Sequence, residues 1–82
     1  MNLENVIGNG YAVAADSWLN VIVIWDGSGL FKMYRQIDVD AWTQVDSDWI
    51  YVRDAYSAKV QAQRWIDHEH ENLELPVEKM AG

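Results

Sequence analysis

Apolar residues fall in short strand-like segments separated by turn signals through the first two thirds of the chain, and recur at a helical period only near the end. Gly8-Asn9-Gly10 marks a turn, since both residue types tolerate positive φ. Tyr11-Ala-Val-Ala-Ala15 follows as an alanine-rich strand, closed by a turn or bulge at Asp16-Ser17. Leu19 to Trp25 carries the strongest strand pattern. Its Val21, Ile22, Val23 and Ile24 are β-branched, which suits a pleated surface and costs side-chain freedom in a helix. Both its faces are apolar, so it is expected at the centre of a sheet covered on at least one side. Asp26-Gly27-Ser28-Gly29 signals a hairpin, and Leu30 to Ile37 is its partner strand. Phe31, Met33 and Ile37 share one face of that partner, with Lys32, Tyr34 and Gln36 on the other. Arg35 interrupts the apolar face, which predicts an edge position or a buried pairing.

Asp38 to Asp48 reads either as a loop or as a short strand around Ala41 to Val45 between acidic turns, and the strand is favoured. Trp49 to Arg53 then alternates as a further strand, and Trp25, Trp49 and Trp65 are expected to face the core. Ser57 is a fair N-cap for the segment that follows. Ala58, Ala62, Trp65, Ile66 and Leu73 recur at helical spacing and form one stripe, so a helix is expected from about Ala58 to about His70. Pro76 cannot continue it, which leaves 76–82 as a tail. Strands followed by one helix give an α+β fold: an antiparallel meander of four or five strands with a C-terminal helix on one face.

Eighty-two residues make a single domain, 1–82, with half its residues apolar and 23% charged. No cysteine is present, which excludes disulfides and thiolate metal sites. Met1 to Gly10 holds Glu4 and no Lys or Arg and does not read as an export signal, and no apolar run approaches a membrane span. A cytoplasmic protein is the expectation. The net charge of −7 is lopsided. Through residue 37, Glu4, Asp16 and Asp26 against Lys32 and Arg35 leave −1, so residues 38–82 carry −6. Charge of that sign opposes direct nucleic-acid binding, which depends on cations displacing counterions, and favours a protein partner with a basic surface.

Three groups of residues are candidates for function. The first is the carboxylate strip Asp38, Asp40, Asp46, Asp48 and Asp54. Hard cations take carboxylate oxygens, but neither Asp-x-Asp pair continues into a Ca²⁺-loop pattern, so no metal is assigned. The strip then serves a partner or blunts the edge of the sheet. The second is Asp67-His68-Glu69-His70-Glu71, whose two histidines sit two apart on a helix and point to different sides. It reads as a polar helix end. The third is the tryptophans, of which Trp42, flanked by Asp40 and Asp46, is the chosen interface anchor. Catalytic residues and cofactors are absent from this reading. No serine sits in a Gly-x-Ser-x-Gly context, and the two Gly-x-Gly turns precede strands, where a phosphate loop needs a helix. The partner-binding set is therefore Asp38, Asp40, Trp42, Asp46, Asp48 and Asp54, in a monomer or homodimer that is not an enzyme.

Small size, no cysteine, an antiparallel sheet, the strip Asp38-Val-Asp40 to Asp46-Ser-Asp48 and the late helix with Gln63-Arg-Trp-Ile-Asp67 together resemble the small acidic accessory proteins of phages and mobile elements, anti-CRISPR proteins among them. That resemblance implies an inhibitor acting in the host cytoplasm on a defence complex, at a surface meant for nucleic acid. The other reading is a structural or self-assembling accessory protein, held together by exposed Trp and the sheet edge.

Overall fold

The computed structural model describes residues 1–72 in full and carries its last helix to Ala81. Four strands form one antiparallel meander in the order β1-β2-β3-β4: β1 (Tyr11–Asp16), β2 (Val21–Trp25), β3 (Leu30–Asp38) and β4 (Ala41–Trp49). A short helix, α1 (Leu3–Ile7), precedes them and a long one, α2 (Ala55–Ala81), follows. This is the α+β architecture expected from the strand-then-helix order. The helix expected to stop near His70, before Pro76, instead continues through Pro76 to Ala81, because a proline removes one N–H and does not by itself end a helix already formed on both sides; side chains past residue 72 lie outside the described residues.

All five residues of β2 are buried, because each face of the sheet has its own cover. Val21, Val23 and Trp25 join Val13, Phe31 and Met33 beneath Ala58, Ala62 and Ile66 of α2. Ile22 and Ile24 point the other way and pack with Tyr34 and with Val6 of α1. The two alanines of α2 are fully buried, so the helix backbone lies close to the sheet. Among the sheet strands, α2 packs chiefly along β1, which leaves the β4 side of that face open.

Acidic side chains hold the corners. Asp26 Oδ1 accepts from the N–H groups of Ser28, Gly29 and Leu30 at 2.8–3.1 Å and closes the β2–β3 hairpin, where Gly27 takes a φ of +98°. Asp16 Oδ2 accepts from Leu19 N–H at 2.8 Å in the β1–β2 turn.

Several local expectations are corrected. The helix starts at Ala55, and its N-cap is Asp54, whose Oδ1 accepts from Ser57 N–H at 2.8 Å; Ser57 lies inside the first turn. Trp49 to Arg53 is not a fifth strand. Trp49 ends β4, and the N–H groups of Ile50 and Val52 only trail the ladder, donating to Gly29 and Ser28. The segment around Ala41 to Val45 is a strand, but it runs four residues further and takes in Asp46 and Asp48. Trp49 is 65% exposed, its ring lying over Gly29, where a Cβ would approach it to 3.0 Å. Arg35 is neither at an edge nor buried: it sits on interior strand β3, on the α2 face, beyond the cover of the helix. Ile37 is exposed further along the same face.

Candidate functional site

β4 is an edge strand, and the strip runs along it. Asp38 ends β3, Asp40 stands in the two-residue turn, and Asp46 and Asp48 lie inside β4, opposite Met33 and Phe31. Cross-strand partners share a face, so Asp46 and Asp48 stand on the α2 side. Asp54 lies past the other end, at the cap of α2. All five carboxylates are exposed. Asp38, Asp46 and Asp48 each accept from the N–H of the following residue at 2.8 Å. None of the five meets a cation: among the described residues the one ion pair is His70 Nε2 with Asp16 Oδ1, at 3.0 Å.

These short contacts bear on the edge. Ile50 N–H points inward to Gly29, so the Ser47 and Trp49 N–H groups, odd-numbered along the same strand, point outward, and Asp46 and Asp48 cap them. Further up, an extra residue at Val45 shifts the register, and Trp42 presents its backbone outward instead. Met1 covers it there: its ammonium donates to Trp42 O at 2.9 Å, and its carbonyl accepts from Trp42 N–H at 2.7 Å. The Trp42 ring is half-buried against the Val6, Ile22, Ile24 and Tyr34 cluster. Its neighbours Asp40 and Asp46 in sequence therefore do not flank a protruding ring. The exposed aromatic rings are Trp18, Trp49, Tyr51, Tyr56 and Tyr11. Trp49 was legible as a candidate only by knowing that β4 ends there.

Between α2 and β4 lies a cleft of about 210 Å³. Phe31, Ile50 and Trp65 line it with apolar surface, while Asp48 stands on the β4 side and Gln61, Arg64 and His68 on the helix side. Gln61, Arg64, Trp65 and His68 recur at helical spacing, one stripe beside the buried one. Neither Gln61 nor Arg64 is marked as a site residue by its spacing, because only the packing of α2 along β1 turns this stripe toward β4. Further clefts lie under α1 and beside Tyr11 and Lys59.

Three carboxyls are held below the usual aspartate range, each by hydrogen bonds to the ionised form. His70 acts first on Asp16, followed by Leu19 N–H; Ser28 N–H acts first on Asp26; Ser57 N–H acts first on Asp54. Of the two helix histidines, His70 turns to Asp16 and His68 to the cleft. Among the described residues no three His, Asp or Glu side chains gather as a metal site, and no helix is long and apolar enough to cross a membrane. No family model, no curated protein and no solved structure matches the chain.

Proposed function

We propose that the protein is a non-enzymatic binding module that lays the acidic edge of β4 on a basic surface of a protein partner, and that it inhibits by occupying a surface that otherwise holds nucleic acid. The observation that carries this reading is that, among the described residues, none of Asp38, Asp40, Asp46, Asp48 and Asp54 forms an ion pair. Carboxylates left uncompensated along one edge repel one another, and a cationic partner relieves that repulsion. The proposed setting is the cytoplasm of a host cell, as for the phage and mobile-element proteins the chain resembles.

Self-assembly through the sheet edge is the weaker reading, because Met1 and the carboxylates of Asp46 and Asp48 already occupy outward backbone groups of β4. The test immobilises the protein, exposes it to extract of the source cell, and elutes with salt or with competing duplex DNA. A nucleic-acid-binding protein should be retained, released as salt rises, and displaced by the duplex. The variant with Asp38, Asp40, Asp46 and Asp48 all changed to Lys should lose it while keeping an unchanged circular dichroism spectrum. Equal retention by a folded variant would overturn the proposal.

A further inference from the structure

We infer that the cleft between α2 and β4 is a binding site for a single α-amino acid with an apolar side chain. Asp48 and Arg64 face it from opposite walls and form no ion pair with each other or, among the described residues, with any other side chain. Asp48 spends one carboxylate oxygen on Trp49 N–H, which leaves the other available. The fully buried Phe31 and the partly buried Ile50 and Trp65 line the same cleft.

The ligand class follows by matching charges. A simple anion is opposed by the protein's net charge of −7. A simple cation satisfies Asp48 and is left facing Arg64. A neutral apolar molecule would strip water from both charges and return nothing to either. A zwitterion with an apolar body matches both charges and the apolar lining at once: its ammonium on Asp48, its carboxylate on Arg64, and its side chain over Phe31, Ile50 and Trp65. Gln61 offers a further donor and acceptor beside it. Size agrees. An apolar cavity of about 150 Å³ accepts a benzene ring, and this cleft is about 210 Å³, enough for the body of phenylalanine or leucine.

Both charges are exposed, so binding is expected to be weak, with a dissociation constant on the order of 1 mM for a ligand of this size. The experiment is a heteronuclear NMR titration of the full chain with L-phenylalanine, N-acetyl-phenylalanine and phenylalanine amide. L-phenylalanine should shift the resonances of Phe31, Ile50 and Trp65. Removing either ligand charge should weaken binding by about fivefold, the upper end for one exposed ion pair. The variants supply the cross-check. Asp48→Asn should weaken L-phenylalanine equally and leave N-acetyl-phenylalanine unaffected, and Arg64→Gln should do the same for the amide. Both substitutions are on exposed side chains, and the same spectra report whether the fold is kept. The inference is overturned if no cleft resonance moves at tens of millimolar, if the blocked ligands bind as well as the zwitterion, or if the variants weaken all three ligands alike. Failure here would leave the acidic edge's affinity for a basic partner untouched, since that is read from salt and charge reversal.

Discussion

Trp25 is 6% exposed, and its indole N–H finds no partner among the described residues. It stacks on Phe31 with ring centroids 6.5 Å apart and meets Tyr11 at a tilt, 5.7 Å away, so its packing is intact while its one polar atom is stranded. A buried donor without a partner costs about 1–3 kcal/mol, whereas emptying a large aromatic site costs about 3–5 kcal/mol. Trp25→Phe therefore removes the stranded donor along with part of the ring, and the two effects oppose. Its unfolding free energy in urea should fall within about 1 kcal/mol of the parent, while Trp25→Ala should lose about 3–5 kcal/mol. Equal losses from the two would mean that the indole N–H is satisfied, by water for instance. The same distinction between ring and position separates the other tryptophans. Trp49 covers bare Gly29 from outside, and Trp42 packs its ring on the second core while its backbone is tied to Met1.

At the scale of elements, what the chain reveals depends on whether one pattern decides the outcome. β2 and the β2–β3 hairpin were legible because a run of β-branched residues and a Gly-rich turn each act locally. The buried stripe of α2 was legible too, but its ranking was not: Trp65 fits the period, yet among the described residues of the stripe only Ile66, Ala58 and Ala62 are fully buried. Ile66→Ala should cost about 2–5 kcal/mol, and Ala62→Leu about 1–3 kcal/mol by forcing the helix off the sheet. Trp65→Ala should cost less than Ile66→Ala, and chemical denaturation of the three variants checks the order. β4 was harder to read because it is an uncovered edge, where polar residues occur on both faces, and because the extra residue at Val45 breaks its alternation. α1 escaped for another reason. Five residues are too few to show a period, and only Val6 is buried from them. The acidic strip could be listed from the sequence, but not its companion cleft, which depends on where α2 comes to rest.

The whole molecule carries two opposed responses to acid. Its net charge of −7 falls toward zero near the isoelectric point of about 4.4, which relieves repulsion along β4 and lowers solubility. The three corner carboxyls act the other way. Asp16, Asp26 and Asp54 have folded-state pKa values below the ordinary 3.8, so between those values and 3.8 the unfolded chain binds more protons than the folded one. Their contribution is complete above about pH 4 and is lost as pH falls through the folded values. All three are solvent-accessible, which keeps each share modest. His70 acts on the first of them: its contact with Asp16 favours the ionised carboxylate, and that preference is lost when Asp16 takes a proton. The thermal midpoint should therefore hold level or rise slightly from pH 7 to about pH 4.5, then drop. Asp16→Asn, Asp26→Asn and Asp54→Asn combined should lower the midpoint at pH 7 and flatten the drop below pH 4. Thermal scans of parent and triple variant from pH 7 to pH 2.5 check this. A variant whose midpoint still falls as steeply as the parent's would place the acid sensitivity elsewhere, in the carboxylates of the β4 strip.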